Sequence, residues 1–228
     1  SMIGSNNRGQ VWEMKSDGSG LRQVTPGTEN DVDNYDPCYL PGGKIIFAST
    51  RVFQGVPCVG GGSNVANLFT MNADGSGIRQ LCFDQDHNWC PTVMNDGRVL
   101  FTRWEYSDTP HYFTRILMSM NPDGTAQSQF YGSDSYWPNS LFFARPLPGT
   151  AGKVVAVVSG HHGAARMGEL VVLDASEGRS ENHGVVQRIP GHDKPVPAVI
   201  PDQLVRDSWP RFLHPWPLDE KHFLVSCQ

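Results

Sequence analysis

Five of the eight histidines fall in connecting stretches of the chain, outside its apolar runs: His87, His111, His161, His162 and His192. The same kind of stretch carries Arg51, Arg103, Glu105, Tyr106, Asp86 and Cys58, with Cys90 at the edge of one. Imidazole, thiol and carboxylate groups brought together suit a divalent metal such as zinc or calcium, with His161, His162 and His87 as the first candidates. Arginines in such a place suit an acidic ligand, a carboxylate or a phosphate. The adjacent pair in "SGHHGAARMGE" leaves an extended backbone in opposite directions, so one ring serves a site while the other packs or caps the loop. Arg103 stands in "FTRWEYSD", and Arg51 holds the equivalent point one unit earlier; the plainer reading is an Arg–Glu pair that ties loops together. Proton abstraction is a further option, with a loop histidine or Tyr106 as base and Arg103 steadying an enolate. No G-x-S-x-G, H-E-x-x-H or C-x-x-C-H occurs, and "VPCVGGGSN" lacks the Lys-Ser/Thr of a phosphate loop.

The elements that must position these groups are written as a repeat. "VWEMKSDGSGLRQV", "LFTMNADGSGIRQL" and the looser "ILMSMNPDGTAQSQF" each place a glycine turn between two short apolar runs. Their turn glycines, with Gly178, stand 57, 49 and 54 residues apart. Between them recur "YDP", "NWCP", "YWP" and "SWP", each followed by a short strand, a turn and an apolar strand, as in "LPGGKIIFAST" and "MNDGRVLFTRW". Asp-Gly and Gly-Gly between such runs signal hairpins, because glycine tolerates positive φ. One unit is therefore four strands: A after the proline, B after the next turn, C, and D after "DGSG". A period of this length with four strands predicts an all-β fold, a β-propeller, since one blade cannot bury both its faces alone.

The chain holds four blades' worth of strands. An N-terminal C–D pair and a C-terminal A–B pair predict one composite blade that closes the ring; the alternative is an arc of a five- to seven-bladed ring. In either case A–B and C–D turns lie at one end of each blade, and the long B–C and D–A connections, which carry the five histidines, lie at the other. Long loops on a rigid scaffold are where function concentrates. Trp89, Trp137 and Trp209 precede the A strands and suit packing between blades, or else an aromatic platform.

With 228 residues, 39% hydrophobic and 18% charged, the chain is long enough for a sizeable core. Its net charge of −5 argues against nucleic acid, and no apolar run reaches membrane-spanning length. Residues 1–10 read as a tag remnant and lead-in, and 11–228 as the propeller, a fragment of a longer protein. Five cysteines leave at least one without an intrachain disulfide; Cys82 and Cys90 flank one short loop and suit a bridge in an oxidising compartment.

These phrases resemble the WD40-like (PD40) repeats of TolB-type propellers, best over residues 68–103 and nearly as well over 11–51. From Asn88 to Cys227, "PTVMNDGRVLFTRWEY", "MNPDGTAQSQFYGSDSYWP", "ARPLPGT", "SGHHG" and "HPWPLDEKHFLVS" resemble the propeller domain of hydrazine synthase alpha-subunit-like proteins. That resemblance implies an exported bacterial protein, periplasmic or secreted, with further domains on the same polypeptide. In the enzyme of that family the propeller and haem-bearing regions form a haem and zinc site. The lack of C-x-x-C-H argues against covalent c-type haem in this stretch. The expected function is a module that binds a small molecule, glycan or protein partner through its long-loop face. The alternatives are a metal- or haem-dependent enzyme domain completed by regions outside the chain, either a redox protein or a propeller lyase, and a structural spacer.

Overall fold

The structure, a computed structural model, describes residues 2–3, 7–105, 115–133, 135–160, 166–190 and 205–228. The chain divides into two compact units, residues 1–91 with 122–125 and residues 92–121 with 126–228. The first contains β1 (Met2–Ile3), β2 (Gly9–Gln10), β3 (Trp12–Glu13), β4 (Arg22–Gln23), β5 (Asn34–Tyr39), β6 (Ile45–Ser49), β7 (Asn67–Met71) and β8 (Arg79–Gln80). The chain passes to the second unit within β9 (Asn88–Val93), and continues through β10 (Val99–Trp104), β11 (Arg115–Met120), β12 (Ser128–Tyr131) and β13 (Ser140–Pro146). It ends with β14 (Lys153–Ser159), β15 (Glu169–Asp174), β16 (Val185–Ile189), β17 (Phe212–Pro217) and β18 (Phe223–Cys227).

Three four-stranded meanders result, β5–β8, β9–β12 and β13–β16, the last two joined by one parallel pair, Arg115 opposite Ser140. These are the blades of the expected all-β propeller. Their inner strands β6, β7, β10 and β11 are buried at every residue, as strands covered on both faces must be. The outermost strands β8 and β16 keep exposed positions. Phe47, Phe69 and Met71 centre the core of the first unit. Leu100, Leu117, Tyr131, Trp137 and Leu141 centre that of the second.

The recurring turn is reproduced nearly atom for atom. Asp17, Asp74, Asp123 and Asp174 each accept, through Oδ1, the backbone N–H and the hydroxyl of the residue two further on, at 2.9–3.0 and 2.6–2.7 Å. This is an Asx turn, and those hydrogen bonds hold all four carboxyl groups below the usual aspartate range.

One expectation needs correction. The A strand begins before the proline, and the proline sits inside a bulge. Asp36, Cys90, Phe143 and His214 have φ of 50, 52, 53 and 50°, one in each A strand. The ladder slips there in β5, β13 and β17. The next residue is Pro37, Pro91, Ala144 and Pro215. A bulge leaves an N–H without a ladder partner, so proline fits at no cost in hydrogen bonding. Pro138 and Pro210, the landmarks read from sequence, instead lie ahead of β13 and β17. The terminal half-blades are each a two-stranded sheet, β3–β4 in the first unit and β17–β18 in the second. Just ahead of β3, β1 pairs with β2, so residues 2–3 of the lead-in enter the sheet structure.

Candidate functional site

In the first unit the connections 24–33, 50–66 and 81–87 meet through a buried polar network written by the repeat. Gln10 Oε1 accepts from Thr25 Oγ1 at 2.6 Å and from Asn34 Nδ2 at 3.1 Å. One repeat on, Asn67 Oδ1 accepts from Asn88 Nδ2, and Asn67 Nδ2 donates to Asp84 O at 3.0 Å. Asn34 and Asn88 open β5 and β9 and are fully buried. Gln10, Asn67 and Asn88 each donate to a loop group, Val32 O, Asp84 O and Asp84 Oδ2, which fixes the loop ends against the sheet.

Arg51 leaves the end of β6 into this setting. Its Nη1 donates to Glu29 Oε1 across the neighbouring connection, the Arg–Glu tie foreseen as the plainer reading. Only 19% of the Arg51 side chain is exposed, and its Nε and Nη2 are buried with no acceptor among the described residues. A guanidinium in that state retains two directed donors for an oxygen ligand.

His87 is half-buried, and its ring stacks on Trp89 with centroids 4.3 Å apart and planes at 21°. Its Nδ1 accepts the Ala66 N–H at 3.0 Å. A neutral ring that accepts at Nδ1 carries its proton on Nε2, so beyond the ring it presents a donor, where a metal would need a lone pair. Cys58 is exposed, and Asp86 is buried near the same loops. Cys82 and Cys90 are buried and form no disulfide with each other, the bridge their spacing suggested, and Cys90 has a φ of 52° within β9.

In the second unit Arg103 is 9% exposed and lies over the Phe101 ring at 5.4 Å. Its Nη2 donates to Gln127 Oε1 at 2.6 Å, so this guanidinium runs back toward the short-turn end. Glu105 is exposed. Tyr106, His111, His161, His162 and His192 lie outside the described residues. Sequence reasoning missed a buried ion pair of this unit: Arg188 Nη2 meets Glu169 Oε2 at 3.1 Å, and Ser208 Oγ donates to Glu169 Oε1 at 2.6 Å. Glu169 is 2% exposed, and the Arg188 guanidinium lies 4.9 Å over the buried Trp137 ring. A charge desolvated to this degree needs its partner, so the pair ties β15 and β16 to the segment that leads into β17. Its one sequence signal was the glutamate that closes "SGHHGAARMGE". Trp137 and Trp89 are buried packing residues, while Trp209 is exposed.

Two of the remaining histidines, His214 and His222, have local partners. His214 tilts over Phe143 at 4.2 Å, and His222 Nδ1 lies 2.8 Å from Asp219 Oδ2 in the last A–B turn. Asp219 is held down to about 2, chiefly by the Lys221 N–H and then by His222. Among the described residues no three His, Cys, Asp or Glu side chains converge as a metal-ligand set, and no helix is long and apolar enough to cross a membrane.

No model of a known family and no curated protein matches this sequence. Among solved structures, the chain is similar to hydrazine synthase of Kuenenia stuttgartiensis, at 20% identity and a TM-score of 0.73, over 99% of this chain and 33% of that one. It is also similar to a putative TolB of Agrobacterium tumefaciens, at 16% identity and a TM-score of 0.54, over 78% of this chain and 57% of the other. The chain thus spans about a third and somewhat over half of these proteins' lengths. At such identities the likeness is one of fold, and that fold is a TolB-like β-propeller.

Proposed function

We propose that this TolB-like propeller is a binding module of an exported protein, and that it takes an oxyanion-bearing ligand, a carboxylate or phosphate group, at the loop end of its first unit. The observation that carries the reading is Arg51: a guanidinium mostly removed from water, oriented by Glu29, with Nε and Nη2 lacking an acceptor among the described residues. Leaving buried donors unmade costs about 1–3 kcal/mol each, so the site is organised for an oxygen it does not itself supply. Glu29 fixes the fork, and the Asn and Gln networks hold the connections on either side of it.

The test uses acetate and phosphate as probes, at constant ionic strength held with chloride. The Arg51 Nε–H resonance is expected to shift saturably with one of them. At ten times Kd that ion adds about 1.4 kcal/mol, which raises Tm by about 4 °C. Arg51→Gln is expected to lose both effects. A resonance indifferent to both ions, or a Tm rise that survives in Arg51→Gln, overturns the reading.

A further inference from the structure

Between consecutive C–D hairpins the repeat uses two devices to close the joint. Arg22 Nη2 donates to Ala73 O at 2.8 Å, and Arg79 Nη2 donates to Asp123 O at 3.1 Å. Gly75 and Gly124 then bring their backbones against the preceding hairpin, where a Cβ would meet Val24 O at 2.1 Å and Leu81 O at 3.0 Å. At the third joint both devices are gone. Ser128 stands five residues after Asp123, where Arg22 and Arg79 stand five after Asp17 and Asp74. Ala175 follows Asp174, where Gly75 and Gly124 follow Asp74 and Asp123. What opens there is a cleft of about 780 Å³ inside the second unit, at the short-turn end, bordered by β12 and by the turns at Asp96, Thr150 and Ser176.

A cleft of this size falls in the roughly 300–1,000 Å³ range of small-molecule sites. Most of its charge is already committed. Arg98 donates to Asn121 Oδ1, Ser119 Oγ and Ala126 O at 2.9–3.2 Å, and Lys153 Nζ pairs with Glu220 at 2.9 Å. Arg179 is exposed at the rim, and its guanidinium makes no hydrogen bond or ion pair with the described residues; its backbone is pinned by the Gly132 N–H at 2.9 Å. Asp96 and Asp174 each commit Oδ1 to their own turns, which leaves Oδ2 as an acceptor on the lining. Met94 and Phe130 give the cleft an apolar component.

We propose that this cleft is a second binding site, distinct from the Arg51 site, and that it takes a zwitterionic amino acid or short peptide. The ligand carboxylate pairs with the free Arg179 fork, its ammonium meets the Asp96 and Asp174 carboxylates, and its side chains lie on Met94 and Phe130. Because the two sites lie in different units, variants of one leave the other intact, and the two readings fail separately.

The experiment titrates the whole chain, by calorimetry, with leucine, with alanyl-leucine, and with alanyl-leucine blocked at its N-terminus by acetyl or at its C-terminus as the amide. The zwitterionic dipeptide is expected to bind at least about tenfold tighter than either blocked form. Leucine matching it assigns the site to free amino acids, and leucine weaker by about tenfold assigns it to peptides. Arg179→Gln is expected to bring the dipeptide down to the affinity of its amide. Ser128→Arg, which restores the arginine of the other joints, is expected to abolish binding while Tm does not fall. Equal affinity for free and blocked dipeptides, no saturable heat below about 10 mM where ΔG is weaker than roughly −2.7 kcal/mol, or full binding by Arg179→Gln overturns the proposal.

Discussion

Tyr131 shows how much one side chain can organise. Fully buried, it donates its hydroxyl to Glu181 O at 2.7 Å and accepts the buried Gly184 N–H at 3.2 Å. Glu181 in turn accepts the backbone N–H groups of Tyr136 and Trp137 at 2.7 and 3.0 Å, so the approach to β13 depends on this phenol. Tyr131→Phe strands the Gly184 N–H and is expected to cost about 1–3 kcal/mol, read by urea unfolding. Burial pushes the phenol from 10.0 up to about 12. The folded state therefore favours the protonated form. Its contribution is intact below about pH 10, where the unfolded phenol starts to ionise, and is lost as pH climbs toward about 12. Tyr131→Phe should flatten that alkaline limb of stability; an unchanged limb would assign it to other groups. None of this was legible in "QSQFYGSD", because Glu181 lies 50 residues away and side-chain-to-carbonyl bonds leave no periodic mark. The same holds at the candidate site. Arg51 was readable from its place at a strand end, but Glu29, which orients it, was one of many acidic loop residues. His87 was readable as a loop histidine, while its acceptance of the Ala66 N–H depends on a contact across 21 residues.

Elements were far more legible than contacts. Asp-Gly and Gly-Gly turns announced the hairpins because only glycine accepts their positive φ cheaply, and sixteen of the eighteen strands fall into the expected order of A–B and C–D pairs around them. What misled was the proline. Pro138 and Pro210 follow a tryptophan, as the "NWCP" landmark does, whereas the bulge that Pro37 and Pro91 mark is followed by Ala144 and Pro215 in the later blades. A bulge is a backbone event, and alanine occupies it without a signature. The turn glycines also divide into two kinds that sequence cannot separate. Gly42 has open space around a would-be Cβ, at φ +87°; Gly75, also at +87°, would drive one to 2.1 Å from Val24 O. Gly42→Ala should therefore cost only the left-handed conformation, about 1 kcal/mol, and Gly75→Ala at least about 2–3 kcal/mol because two hairpins must part. Equal losses in the two variants, measured by thermal unfolding, would show that the joint is soft.

At the scale of the whole chain, the division into two compact units was invisible in the repeat, which runs evenly through it. Each unit has its own buried cluster, Phe47 with Phe69 and Met71 in one and Leu100 with Leu117 and Leu141 in the other. Leu117→Ala removes a fully buried side chain and is expected to cost about 2–5 kcal/mol. Hydrogen exchange should then quicken in β13–β15 before β6 and β7; uniform loss of protection would mean that the units unfold as one. The bulges at Asp36, Phe143 and His214 carry a practical corollary for anyone exchanging segments between chains of this fold. Each inserts one residue into its strand, and side chains on a strand alternate in direction, so a crossover that gains or drops that residue turns the rest of the strand inside out. Recombination seams belong in the Asx turns, where four copies of one geometry make the ends interchangeable.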